Sequence, residues 1–184
     1  RGYGIAVELG AGVTLRPERN PFTRTLVRWQ SFFPAGRVEA GDGAARSARI
    51  AVRTEVGAVL ARESAEIPVA QLFLTGGDTT VRGYGYRAIG ARTDNNQLYG
   101  GRYMGVASVE WQRPIVYGGN MTDWESTLFV DAGAVADRVG DLDPRVGVGT
   151  GVRWRSPVGP LQADLAWGVQ SKKLRLHLRL GFTF

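Results

Sequence analysis

From Leu174 to Phe184 every second residue is large and apolar. Leu174, Leu176, Leu178, Leu180, Phe182 and Phe184 share one face, while Arg175, His177, Arg179, Gly181 and Thr183 share the other. A side-chain period of two is the mark of a β-strand. A strand of a soluble sandwich could bury such a face. Large apolar residues in unbroken alternation with basic and imidazole groups, however, suit a strand with lipid outside and water inside.

The same alternation recurs up the chain. Leu161, Ala163, Leu165, Trp167 and Val169 alternate with Gln162, Asp164, Ala166 and Gly168, and Val146, Val148, Thr150, Val152 and Trp154 alternate with Gly147, Gly149, Gly151, Arg153 and Arg155. Leu128, Val130, Ala132 and Ala134 oppose Phe129, Asp131 and Gly133, and Val109 and Trp111 oppose Ser108, Glu110 and Gln112. Ile50, Val52, Thr54, Val56, Ala58 and Leu60 oppose Arg49, Arg53 and Glu55; Val27, Trp29 and Phe33 oppose Arg28 and Gln30; Ile5, Val7, Leu9, Ala11, Val13 and Leu15 oppose Glu8, Gly10, Gly12 and Thr14. This predicts eight strands and no helix. No run approaches the roughly eighteen apolar residues of a membrane helix. The expected fold is all-β, an antiparallel transmembrane β-barrel.

At 184 residues the chain has the size of one domain. It has no cysteine, so neither a disulfide framework nor a thiolate metal site is available. The net charge of +6 is spread over alternate strand positions, with no compact basic run or aromatic-basic motif, which argues against a nucleic-acid partner and for a basic lumen. Opening directly in RGYGIAVEL without an export signal, the chain is expected to be a mature piece or a fragment. His177 is the only histidine, and its nearest candidate partners, Ser171 and Asp164, read as an ordinary turn residue and an ordinary lumen residue. There is no phosphate-binding loop, metal cluster or dinucleotide fingerprint. The expectation is a non-enzymatic protein without cofactor or metal.

One stretch breaks the pattern. Arg62 to Tyr99, about 38 residues, shows no clear period, yet Leu72, Phe73, Val81, Tyr84, Tyr86 and Ile89 give it more apolar surface than a solvated linker carries. Gly76, Gly77, Gly83 and Gly85 permit turns and close backbone approach. The reading is an ordered hairpin tip that holds Arg82 between Val81 and a Gly83-Tyr84 turn.

Gly76-Gly77-Asp78 followed by Val81-Arg82-Gly83-Tyr84 resembles the VRG(F/Y) loop of the outer-membrane protein assembly and translocation superfamily, most closely its TamA-like, BamA-related branch. Phe129-Val130-Asp131-Ala132-Gly133 is similar to that family's F-x-D-x-G, Glu110 to an acidic position on the preceding strand, and Ser156-Pro157-Val158-Gly159-Pro160-Leu161 to its SP-x-GPL turn. The resemblance implies a sixteen-stranded barrel with this loop between strands eleven and twelve. Three strands precede the loop here and five follow, so the chain would be the last half of that barrel, without the first half and the periplasmic POTRA domains. It also implies a latch of Arg82, Gly83 and Tyr84 on Asp131, with Glu110 and Phe129 beside it. Alternatively, both carboxylates balance lumen arginines such as Arg153 and Arg155.

The last strand, with Leu178, Leu180, Gly181, Phe182 and Phe184, resembles the outer-membrane β-signal and one lip of a seam. The implied setting is the outer membrane of a Gram-negative bacterium. The implied partners are membrane lipid, client outer-membrane or autotransporter proteins, and a partner subunit anchored in the inner membrane. A BamA-like factor, a two-partner secretion transporter and a passive small barrel stay as alternatives. With the C-terminus on the periplasmic side, Ser156–Pro160, Ile115–Trp124 and Pro34–Arg46 would be inner links, the last unusually long, and Arg62–Tyr99 would lie outside.

Overall fold

The computed structural model describes residues 2–15, 18–157 and 159–181. Three long strands come first: β1 (Gly2–Thr14), β2 (Asn20–Glu39) and β3 (Ala45–Ala61). The long loop follows, with two short strands of its own, β4 (Ala91–Arg92) and β5 (Leu98–Tyr99). Five more long strands complete the chain: β6 (Tyr103–Tyr117), β7 (Asn120–Ala136), β8 (Arg145–Ser156), β9 (Gly159–Gly168) and β10 (Lys173–Leu180). The long strands form one sheet in the order β1-β2-β3-β6-β7-β8-β9-β10, each pair antiparallel. The eight alternating segments are thus eight strands, and β1 and β10 are the edges of the sheet. Among the described residues no helix is long and apolar enough to cross a membrane.

The two faces are reversed relative to a water-soluble sheet. Leu9 is 78% exposed and Leu176 66%, whereas Asp131 is fully buried and Asp164 1% exposed. Apolar groups turned outward and charged groups turned inward are what a hydrocarbon surround favours. Trp124 and Trp154, one on β7 and one on β8, stack with ring centroids 5.8 Å apart near the turn end of the strands, a position suited to the membrane interface.

Two inner links are shorter than their sequence suggests. The strand continues through Pro34 to Glu39, with a bulge between Pro34 and Arg37 and a tight turn closed by Ala44 O accepting the Ala40 N–H at 2.8 Å. Likewise a bulge follows Pro114, and the turn itself is only Gly118-Gly119, with φ of 58° and 81°. Positive φ at both positions is the two-residue hairpin geometry that follows strand twist. Proline removes one ladder hydrogen bond, and a bulge absorbs the loss without ending the strand.

The long loop is ordered. It carries a single 3-10 turn (Val69–Gln71) and the small hairpin of β4 and β5. Its two limbs are held together by paired backbone bonds between Thr75 and Ile89 (2.9 and 2.8 Å) and between Phe73 and Gly101 (2.9 Å each way). The loop folds onto the inward face of the sheet. Phe73, Val81, Tyr84 and Ile89 from the loop pack with Phe22, Leu26, Val59, Met104, Val106 and Val135 from the strands to make the core. Each such side chain contributes about 1.5–3 kcal/mol on burial.

Candidate functional site

Beyond this core the loop tip reaches the sheet. Gly76 and Gly77, at φ 106° and 115°, turn the chain, and Gly76 N–H bonds Thr80 Oγ1 at 2.9 Å while Gly77 N–H bonds Val81 O at 3.1 Å. Gly83, at φ 91°, passes so near β9 that a Cβ there would lie 2.7 Å from Gly168 N. The facing strand is stripped to match. A Cβ on Gly147 would come within 1.8 Å of Arg82 O, one on Gly149 within 2.5 Å of the Phe129 ring, and one on Gly151 within 2.0 Å of Asp164 Oδ1. Alternate glycines therefore leave the inner face of β8 bare from 147 to 151: the loop lies on Gly147, and Phe129 and Asp164 of the neighbouring strands cover Gly149 and Gly151.

Arg82 sits in this seat, 2% exposed. Its Nε donates to Asp131 Oδ2 at 2.7 Å, its Nη2 to Asp131 Oδ1 at 3.0 Å, and its backbone N–H to Asp131 Oδ2 at 3.1 Å. Nη1 donates to Glu110 Oε2 at 2.5 Å and to Asp164 Oδ2 at 2.9 Å. The guanidinium carbon lies 3.4 Å over the centroid of the Phe129 ring. The carboxylates are held in turn: Ser108 Oγ donates to Asp131 at 2.6 Å, Gln112 Nε2 to Glu110 at 2.6 Å, and Gln162 Nε2 to Asp164 at 3.0 Å. Burial works against the guanidinium charge, but the hydrogen bonds and charge of Asp131 and Glu110 outweigh it and hold the group above its ordinary range. A buried ion cluster with its oxygens bonded is tolerable, and taking out one member is costly, about 3–5 kcal/mol.

The Omp85 superfamily domain matches residues 1–184. The chain belongs to the Omp85 superfamily. Among solved structures, BamA from Haemophilus ducreyi lacking POTRA domains 1–3 is similar, with a TM-score of 0.68 at 20% identity over 100% of this chain and 40% of that one. At that identity the likeness is one of fold, and this Omp85 chain spans about 40% of the length of the structure it matches. Family and fold together make this an antiparallel sheet of the Omp85 barrel type.

Within the Omp85 fold, Arg82, Glu110, Phe129 and Asp131 are brought together, while Gly83 and Tyr84 bond the wall elsewhere. The Tyr84 hydroxyl lies 2.6 Å from Gln170 Oε1 and 3.2 Å from Val146 O. Among the described residues Arg153 and Arg155 form no ion pair with Glu110, Asp131 or Asp164; Arg82 does so with all three. Leu178 and Leu180, 68% and 81% exposed, form a separate set on the outward face of β10, and Gly181 donates to Pro160 O at 3.1 Å. Phe182 and Phe184 lie outside the described residues.

Two roles were not foreseen from the sequence. Asp164 is a third carboxylate on Arg82, and its one available sign was an acid in the inward phase of a strand, shared with Glu110 and Asp131. His177 Nε2 accepts the Gly83 N–H at 3.0 Å, and next to it Arg179 Nη2 donates to Asp78 O at 2.9 Å, so the loop is tied to β10 as well. Replacing His177 with alanine should leave the Gly83 donor unmet, at about 1–3 kcal/mol. Amide exchange across residues 72–90 should then quicken by about ten- to a hundredfold, with glutamine restoring part of the protection; unchanged exchange would show that this bond does not hold the loop.

Proposed function

We propose that this chain forms the part of an outer-membrane barrel that inserts or exports client proteins, in a TamA-like role with outer-membrane or autotransporter clients. The observation that carries the reading is Arg82 bonded at once to β6, β7 and β9. Such a latch sets the curvature of the sheet from inside. An interior of eight strands is only wide enough for side chains, so a concave face that holds a whole loop favours membership of a larger barrel. The work would be done at the β10 edge, where unpaired N–H and C=O groups accept an incoming client strand by β-augmentation. Outward leucines on that strand suit lipid contact, and no covalent chemistry is required.

The test is Asp131→Asn in cells, with client display and barrel level measured together. The amide keeps the shape of the carboxylate but loses the charge on which Arg82 is bonded most. Display is expected to fall severalfold with the barrel still present in the outer membrane. Full display at normal barrel level would instead favour a passive barrel.

A further inference from the structure

We infer that the inner wall also carries an oxyanion site, between the Arg82 cluster and the turn end of the sheet. A cavity of about 240 Å³ lies there, bounded by β2, β3, β6, β8, β9 and β10. Arg49, Arg53, Arg82, Arg153 and Arg179 line it, and Glu110 is the one carboxylate among its lining residues. Glu110 has little left to offer, because Oε2 is taken by Arg82 at 2.5 Å and Oε1 by Gln112 at 2.6 Å. Arg82 has spent all its donor nitrogens on the latch.

The other arginines are left short. Arg49 bonds Gln112 through Nε, and its carboxylate, Glu125 at 3.4 Å, is shared with Arg46. Arg53 reaches Thr80 O at 3.2 Å through Nη2, and Arg179 reaches Asp78 O at 2.9 Å, with its nearest carboxylate, Asp164, at 3.9 Å. The Nε of Arg53 and the Nε of Arg179 are both buried without a partner among the described residues. Among the described residues Arg153 has a single long hydrogen bond, to Gln112 Oε1 at 3.5 Å. Among the described residues neither Arg53 nor Arg153 makes an ion pair. Guanidinium groups crowded around one space repel each other, and their unmet N–H groups prefer a planar or tetrahedral oxyanion that takes paired hydrogen bonds. The cavity has room for a carboxylate side chain or a phosphate. Its ligand class is therefore an oxyanion, from an acidic polypeptide or from free phosphate.

The site binds whether or not the barrel handles clients, so its test is independent of that reading. Protein purified from outer membranes in a zwitterionic detergent is titrated by calorimetry with tetraglutamate, with inorganic phosphate and, as the uncharged control, with tetraglutamine. Saturable heat with tetraglutamate alone identifies a polypeptide carboxylate site; saturable heat with phosphate as well identifies a general oxyanion site. Arg153→Gln, which cuts no contact to the loop, is expected to weaken binding by about tenfold. Arg53→Gln/Arg179→Gln is expected to weaken it further. No saturable heat from either anion, equal binding of tetraglutamine, or affinity unchanged in Arg153→Gln would overturn the assignment.

Discussion

Arg82→Ala is expected to release the loop while the eight strands remain paired. The substitution removes every hydrogen bond that the buried guanidinium makes to the wall. The backbone N–H to Asp131 survives in principle, but the side chain that held it in place is gone. Glu110, Asp131 and Asp164 are then left facing one another without their cation. Losing one member of such a cluster costs about 3–5 kcal/mol. Hydrogen exchange across residues 72–90 should accelerate on the order of a hundred- to a few-thousandfold, with exchange in β1 and β2 little changed, and client display should be lost. Arg82→Lys separates charge from shape: lysine keeps the cation but cannot present Nε and Nη2 together to Asp131, so it should rescue poorly. Wild-type exchange in Arg82→Ala would mean that the apolar core alone seats the loop.

Gly147→Val should be as damaging without touching any charge. A Cβ at this position would sit 1.8 Å from Arg82 O, a backbone atom that cannot swing aside as a side-chain tip would. Valine is a favourable strand residue, so β8 should still pair with β7 and β9, and the barrel should still migrate as a folded species before heating. The expected result is a folded barrel with its loop displaced, fast exchange over residues 72–90 and little client display. Gly105→Val is the matched control, since a Cβ there meets nothing within 4 Å; its exchange and display should stay close to wild type. If both variants behaved alike, the bare face of β8 would not be what admits the loop.

The eight strands were legible because a barrel between lipid and water writes its two environments into alternate residues. The ends of β2 and β6 were less so: links were expected from Pro34 and from Ile115, while the chain absorbs Pro34 and Pro114 in bulges and continues. Within the site, Arg82 stood out locally as the tip of an ordered glycine-rich hairpin, but its pairing with Asp131 and Glu110 came from a resemblance, since nothing near Asp131 in sequence says which cation it will meet. Asp164 and His177 were passed over for the same reason, lying 82 and 94 residues from the loop positions they bond. The glycines of β8 were visible as an alternating set, but their use depends on what packs across from them, and that is decided by the path of the loop.

The ties between loop and wall have a bearing on the order in which the molecule is built. Arg82 and Gly83 are made before any of the wall they bind, because their partners Asp131, Asp164 and His177 are spread over β7, β9 and β10. Until β9 is in place the arginine lacks its full set of acceptors, and until β10 is in place the glycine N–H lacks its imidazole. The loop is therefore seated by stages, the guanidinium by β6, β7 and β9 and the glycine N–H by β10. The tip thus reports, bond by bond, how many of the strands that follow it have joined the sheet.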